Sequence, residues 1–272
     1  MSDIVLSALL VFREITVKKS EVAHKVNDYA VQSETRAVGE NYVTMHNALV
    51  RAAHGLSLIE KRLVAAGVSK LDSRRRTVGV ARTKLTAAEY AETFGVDAKS
   101  AYADLRDAAR HLQQRVIVFY EPPPSRRWKP TQVRMSWVTT SRYQDGEGWV
   151  ELSWNPDLLP FLTDLRERFT TYQLQQAAAL RSGYSWKLLE LLSQYKSTGQ
   201  LEIEIAEFAH VMEATEKQRQ NFAKIRTKII EPAVRELVEK DNWLISWEPV
   251  KRGRTVAALR FRFARNPQQR LF

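Results

Sequence analysis

The side chains in this sequence best suited to binding chemistry are lysines and arginines that stand together without carboxylates. The stretch NFAKIRTKIIEPAVREL carries Lys224, Arg226 and Lys228 before its first acidic residue, Glu231. Similar groups are Arg74, Arg75 and Arg76; Arg126, Arg127, Lys129 and Arg134; and Lys251, Arg252 and Arg254. Such cationic groups bind the phosphates of nucleic acids, and a helix fits the major groove of B-DNA. The pattern indicates a surface that binds a polyanion.

The composition of the whole chain supports this interpretation. The 272 residues carry a formal net charge of +11 at pH 7, and 44% of them are hydrophobic. This predicts a polyanionic partner and a core large enough for one large or two small domains. Cysteine is absent, which excludes disulfides and thiol chemistry and is compatible with the cytoplasm. The apolar run IVLSALLVF is about half as long as a membrane span requires, so we expect no membrane partner.

Catalysis is not indicated. The histidines are His24, His46, His54, His111 and His210. No two of them form the His-x-His pair of a DNA-nicking enzyme, and the chain lacks the Gly-Lys pair of a nucleotide-binding phosphate loop. Glu202 and Glu204 alternate on a predicted strand and are expected to face solvent. We therefore predict no catalytic residue, no metal and no cofactor.

A weak internal repeat organises the chain. AEYAETFGV, 88–96, aligns with AEFAHVMEA, 206–214, and each is followed by a longer helical pattern and a strand-like run, VIVFY or WLISW. Thr86 with Glu89 and Thr215 with Gln218 are capping-box pairs that open helices. Each unit therefore predicts a short helix, a turn, a long helix and a β-hairpin, the order of a winged helix-turn-helix. The predicted turns of the two hairpins, or wings, are EPPPSRRWKP and EPVKRGRTV, the second turning at Gly253.

The predicted fold is α+β, with two tandem winged helix-turn-helix domains that are mostly helical with small antiparallel β-wings. We divide the chain at about Trp154, because Pro156 and Pro160 interrupt helical patterns there. Residues 42–66 and 182–195 carry apolar helical periodicity. The predicted division is a variable extension, 1–40; an N-terminal winged-helix domain, 41–154; a C-terminal winged-helix domain, 155–265; and a tail, 266–272.

A helical wheel from Glu216 onward separates two faces of the second long helix. The apolar face holds Phe222, Ile225, Ile229, Ala233 and Leu237, and the basic face holds Lys217, Lys224, Lys228 and Arg235. Arg226 lies near the boundary, where it could reach DNA or pair internally. Pro232 is expected to kink the helix and leave 216–228 as the part that reads bases.

These residues resemble the iteron-binding plasmid replication initiators of the Rep type. The similarity covers roughly Val43 to the end of the chain. It is carried by NALVRAAHGLSLIEKRLV, WNPDLLPFL followed by FTTYQL, LRSGYSWKLLELLSQY and IRTKIIEPAVREL. The resemblance implies that a monomer binds directly repeated origin DNA, and that a dimer represses its own gene. It also implies contacts with the host replicative helicase and the host initiator, in the bacterial cytoplasm with the nucleoid or plasmid.

The resemblance places the two recognition helices at Lys217 to Lys228 and at Lys99 to Arg110. The predicted winged fold puts the basic stretches outside these helices at phosphates. Together they give the predicted DNA-binding residues. In the C-terminal domain these are Lys217, Arg219, Gln220, Asn221, Lys224, Arg226 and Lys228, with Lys251, Arg252 and Arg254 in the wing. In the N-terminal domain they are Lys99, Ser100 and Arg106, with Arg74, Arg75, Arg76, Arg126, Arg127 and Lys129. Asp104 and Asp107 leave the first helix nearly neutral, so we expect the C-terminal domain to contribute most of the specific affinity.

Two further possibilities remain open from the sequence. The tail QQRLF, with Gln268, Leu271 and Phe272, resembles the short peptides by which some bacterial replication proteins bind the sliding clamp. The alternative to an initiator is a dedicated dimeric repressor that binds an inverted repeat, because a two-fold dimer matches a palindrome. Nonspecific compaction of nucleic acid would instead give similar affinity for random DNA.

Overall fold

The computed structural model describes residues 37–121, 129, 131–144 and 146–266. The first part of the chain contains β1 (Tyr42–His46), α1 (Asn47–Arg51), α2 (Leu58–Ser69), β2 (Arg82–Thr86), α3 (Ala87–Phe94), α4 (Ala98–Leu112), β3 (Val116–Glu121), β4 (Thr131–Ser136), β5 (Val138–Tyr143), β6 (Trp149–Trp154), β7 (Phe169–Gln173), α5 (Leu174–Ala178) and α6 (Gly183–Ser193). The second part contains β8 (Gln200–Glu204), α7 (Ile205–Val211), α8 (Glu216–Arg219), α9 (Phe222–Ile225), a π turn (Arg226–Ile230), α10 (Glu231–Asp241), β9 (Trp243–Arg252) and β10 (Thr255–Arg265). Short 3-10 turns lie at Val38–Glu40 and Leu159–Phe161.

The two units share one topology, which confirms the predicted tandem winged-helix fold. The first unit has a three-stranded antiparallel sheet in the order β2-β6-β5, and the second has one in the order β8-β10-β9. In each sheet the strand that comes first in sequence, β2 or β8, leads into the helix pair, α3–α4 or α7–α8. The strand that comes last in sequence, β6 or β10, lies in the middle of its sheet. The aligned repeat falls on α3 and α7.

The sheet order corrects the predicted wing of the first unit. The hairpin β3–β4 forms, but it is a separate two-stranded sheet. The hairpin that corresponds to β9–β10 is β5–β6, whose turn, QDGEG at 144–148, contains no lysine or arginine. Strand β5 follows β4 after the buried Trp137, where the chain leaves one sheet and joins the other. Lys129 therefore lies between the strands of an additional hairpin and not in the wing.

Strands distant in sequence also pair within the first unit. Strand β1 pairs with β7 in antiparallel register, from Tyr42 opposite Gln173 to His46 opposite Phe169. This pairing crosses the predicted division at about Trp154. The position of the division remains a prediction, and the pairing favours a boundary later in the chain, after α6.

Local capping explains where several helices begin. Both predicted capping boxes are present: the Thr86 N–H donates to Glu89 Oε2 at 2.7 Å, and the Thr215 N–H donates to Gln218 Oε1 at 2.7 Å. The helical pattern predicted over residues 42–66 is wrong for its first part, because 42–46 form β1, and a third capping box at Ser57 starts α2. Between α1 and α2, Gly55 takes a positive φ of 60° that interrupts helical geometry.

The second unit buries one face of its central strand. Leu259, Phe261 and Phe263 are buried on β10, while Arg260 and Arg262 lie on the other face, as the alternating pattern predicts. Phe261 stacks on Phe208 of α7 with ring centroids 5.9 Å apart, so the sheet holds the helix pair through aromatic packing. Within the described ranges, no helix is both long and apolar enough to cross a membrane.

Candidate nucleic-acid interface

The second helix pair begins in two steps. The capping box at Thr215 starts α8, which ends at Arg219, and Asn221 then caps α9 by accepting the Ala223 N–H at 2.9 Å. The single helix predicted from Glu216 onward is therefore interrupted at residues 220–221. Asn221 favours this break because a side chain that bonds its own backbone competes with helical hydrogen bonds.

Pro232 affects the helix through its missing N–H. It lies in the first turn of α10, where an absent donor is tolerated, and the π turn Arg226–Ile230 immediately precedes it. A π turn carries one extra residue and often occurs at functional positions. The helix thus continues from α9 through the π turn into α10. In place of the kink predicted at Pro232, the structure has this π turn just before the proline.

The continuous helix 222–241 has the two predicted faces. Ile225, Ile229, Ala233 and Leu237 are buried on one side. The opposite side exposes Lys224 and Lys228, with Lys217 exposed on the preceding α8. None of these three lysines has a hydrogen bond or ion pair with another residue in the described parts of the chain. They form an unneutralised cationic face, called the lysine face below.

Other predicted residues of this helix pair have structural bonds. Arg226 is exposed and pairs with Glu231 at 3.3 Å on the surface, and its contact with DNA stays a prediction. The Arg219 Nε–H donates to the Ala214 carbonyl at 2.8 Å, and Gln220 Nε2 donates to a Glu216 carboxylate oxygen at 3.1 Å. These contacts hold the start of the helix pair, so phosphate binding by Arg219 or Arg226 would exchange existing bonds.

The wing of the second unit extends from the sheet at the β9–β10 turn. Gly253 has φ +64° at the first of its two loop positions, as a tight hairpin requires. Lys251, Arg252 and Arg254 are all exposed. Arg252 pairs with Glu204 at 2.7 Å, whereas Lys251 and Arg254 have no described partner. The wing therefore offers two exposed cations with no partner among the described residues.

The corresponding helix of the first unit, α4, is less cationic. Lys99 and Ser100 are exposed in its first turn, where their backbone N–H groups donate to Asp97 Oδ1 at 3.1 and 3.0 Å. Arg106 lies over the Tyr102 ring and its Nε–H donates to Asp107 at 3.3 Å. This neutralisation agrees with the acidic residues noted in the sequence.

The arginine triplet 74–76 is exposed in the loop between α2 and β2. Backbone bonds from Asp164 N to Arg75 O (3.2 Å) and from Leu165 N to Ser73 O (2.9 Å) join this loop to the segment before β7. The join brings Arg166 and Arg168, both exposed, to the same region. The sequence did not indicate that Arg166 and Arg168 join this group, because no local pattern connects them with arginines about ninety positions earlier in the chain.

Some predicted residues cannot be placed. Arg126 and Arg127, together with Gln268, Leu271 and Phe272 of the tail, lie outside the described residues. Lys129 is exposed. The DNA contacts of Arg126, Arg127 and Lys129 and the clamp contact of the tail stay predictions.

The two buried histidines are structural. His46 accepts the Ala48 N–H at its Nδ1 (3.1 Å) and caps α1. Burial, helped by the positive charge of Arg168, lowers the pKa of His46 to about 4. His54 Nε2 bonds the Leu49 carbonyl at 2.7 Å, and burial with the charges of Lys187 and Lys61 lowers its pKa well below the usual value. Among the described residues, no three His, Asp or Glu side chains group as metal ligands.

Two winged helices in series, the second with an exposed lysine face and a basic wing, define the class of tandem winged-helix proteins. Family models described as "Initiator Replication protein, WH1" and "Initiator Rep protein, WH2" match residues 42–193 and 204–263. The chain belongs to this family of initiator replication proteins.

The chain is also similar to a solved structure in its fold and to a bacterial protein in its sequence. The crystal structure of the Pi initiator protein in complex with iteron DNA shares the fold with a TM-score of 0.70 at 18% identity, covering 84% of this chain and 99% of that one. An uncharacterized 27.6 kDa protein of Escherichia coli is 28% identical over 214 residues, or 75% of this chain and 88% of the relative.

Proposed function

We propose that this protein is a plasmid replication initiator that binds directly repeated origin sequences, or iterons, as a monomer. The observation that carries the proposal is the lysine face, Lys217, Lys224 and Lys228, on the exposed side of the second unit's helix pair. Membership in a family of initiator replication proteins supports the proposal, and so does the fold shared with an initiator solved on iteron DNA.

In this proposal the two winged-helix units contribute differently to DNA binding. The second helix of a helix-turn-helix enters the major groove, so the lysine face meets DNA directly and the wing cations Lys251 and Arg254 reach phosphates beside it. In the first unit, α4 carries paired charges and contributes mainly to positioning. Two winged helices on one face of the duplex, about 10 bp apart, would cover a site on the order of 20 bp.

The proposal includes partners beyond the iterons. Binding helps to open the origin and recruits the host helicase and host initiator, while a dimer of the same chain binds an operator and represses its own gene. The protein acts in the bacterial cytoplasm with its plasmid.

The tail residues Gln268, Leu271 and Phe272 bind the sliding clamp. A clamp pull-down tests this last point: the full chain should be retained and a chain ending at Pro267 lost, whereas equal recovery contradicts it.

Stoichiometry tests the initiator against a dedicated repressor. The protein is titrated against duplexes carrying one, two or four direct copies of its preferred sequence, and the mass of each complex is measured. One monomer per copy supports the initiator. Two monomers on an inverted repeat, with weak binding to a single copy, would support the repressor instead.

A further inference from the structure

The turn between α7 and α8 contains a residue in a costly backbone conformation. Glu213 has φ +54°, in the left-handed region that side chains other than glycine seldom adopt. The aligned repeat places Gly95 at the same position of the first unit, where φ is +59°. A glycine therefore adopts this turn conformation without strain. The contacts of the Glu213 side chain must explain why a glutamate stands at this position of the second unit.

The Glu213 carboxylate reaches across to the first unit. One oxygen accepts the His54 N–H at 3.1 Å and the other accepts the Gly55 N–H at 2.8 Å. Lys187 Nζ of α6 lies 3.2 Å from the first oxygen. Burial disfavours the charged carboxylate, but Lys187 and the two N–H groups outweigh it and lower the pKa of Glu213. The group is therefore ionised at neutral pH and bound by three donors.

The first unit holds these donors in fixed positions. Lys187 is buried and also donates to the Ala52 carbonyl at 2.9 Å and to His54 Nδ1 at 3.2 Å. Because the Leu49 carbonyl only accepts, the bonded His54 Nε2 carries the proton and Nδ1 is free to accept from Lys187. Neutral His54 thus links Lys187 to the backbone. The donors form a preorganised socket for one carboxylate.

A second contact ties the same helix pair to the first unit. Arg51, at the end of α1, donates to Glu207 of α7, and its Nε–H donates to Gln194 at 3.0 Å. Glu207 and Glu213 stand near the two ends of α7, so two carboxylates anchor this helix at separate points. Anchoring at two points limits rotation of α7 as well as its translation.

We propose that Glu213 is a positioning residue that sets the orientation of the second unit's DNA-reading helices relative to the first unit, and so the spacing at which both units bind one duplex. Glu213 stands two residues before Thr215, the cap of α8, and four before Lys217 of the lysine face. A change in this turn is transmitted to that face over a very short stretch of chain. The consequence for DNA spacing rests on the proposed function, whereas the orientation does not.

The first test measures orientation without DNA. The chain has no cysteine, so Glu92→Cys in α3 and Glu239→Cys in α10, both exposed, accept spin labels for pulsed distance measurements. Glu213→Gly leaves the buried Lys187 without its ion pair, which is expected to lower the unfolding midpoint, while the glycine offsets part of this loss by easing the backbone. The variant is measured well below its own unfolding midpoint. Its distance distribution should become at least twice as broad or move to a new maximum. An unchanged distribution overturns the proposal.

A matched control separates contact from backbone relief. Asn242 has φ +53° at the end of α10, so Asn242→Gly places a glycine at another left-handed position, away from the socket. It should leave the distance distribution as in the unsubstituted chain. A broadening as large as that of Glu213→Gly would attribute the effect to the glycine itself and contradict the proposal.

The second test uses DNA with altered spacing. Five base pairs, about half a helical turn, are inserted between the two halves of the preferred site. The unsubstituted protein should lose at least tenfold in affinity and Glu213→Gly less than threefold, with equal affinity of both for the half bound by the second unit. Equal losses on insertion would overturn the proposal. If neither protein prefers any sequence, the proposed function fails, and the distance measurement still decides the role of Glu213.

Discussion

Removing Lys224 and Lys228 together should weaken DNA binding in a way that can be calculated. Both side chains are exposed on the lysine face and have no partner in the described parts of the chain. Replacement by alanine suits an exposed helical position, because alanine has the highest helix propensity. The double substitution Lys224→Ala plus Lys228→Ala is therefore expected to leave the folded state intact.

The magnitude follows from counterion release. Each phosphate contact to B-DNA contributes about 0.9 to the slope of log K against log salt, so two contacts contribute about 1.8. At 0.1 M salt this term corresponds to a loss of roughly 60-fold in affinity. If the lysines contact phosphates, the loss applies to every sequence alike. If they contact bases, specificity relaxes while the salt slope changes less.

The assay is fluorescence anisotropy with a labelled duplex over a series of salt concentrations. The control is Lys196→Ala plus Lys240→Ala, which removes two exposed lysines near the far end of α10 and lowers the net charge equally. The control should bind within about twofold of the unsubstituted protein, since only local charge is expected to count. Equal weakening by both pairs would refute the assignment of the lysine face and leave a purely global charge effect.

Three further substitutions test the fold that positions the site. Because His46 stays neutral when folded, stability should fall by up to about 3 kcal/mol as pH decreases from 6.5 to 4; His46→Asn keeps a capping acceptor and should flatten this dependence in urea unfolding. Gly199→Ala should lower the melting temperature, since φ is +66° and a Cβ would lie 2.9 Å from the Phe263 carbonyl oxygen; an effect no larger than that of Gly55→Ala, where space is open, would contradict this reasoning. Thr86→Ala should cost about 1 kcal/mol in the same unfolding assay by removing a capping box, and Thr86→Ser should restore most of it.

Local signals in the sequence predicted the parts of the fold that depend on local interactions. The capping boxes at Thr86 and Thr215, the turn at Gly253 and the alternation along β10 are each fixed by residues within a few positions of one another. The apolar and basic faces of the helix 222–241 follow from its period for the same reason. The lysine face was therefore predictable residue by residue.

Features that depend on distant pairing were not predictable in this way. The wing of the first unit was assigned to β3–β4 because that hairpin follows α4 directly, as β9 follows α10. The pairing of β2 with β6 shows otherwise, and it joins residues such as Arg82 and Ser153. The socket for Glu213 likewise combines His54, Lys187 and a turn of the second unit, and no spacing in the sequence connects them.

The most direct test of the central claim is selection of bound duplexes from a random DNA library by the purified protein at near-physiological salt. A monomer with two unlike winged helices should select one asymmetric consensus about two helical turns long, with its strongest positions under the second unit. An inverted repeat would contradict the monomeric initiator. The absence of any consensus would show that the lysine face binds the DNA backbone without reading sequence.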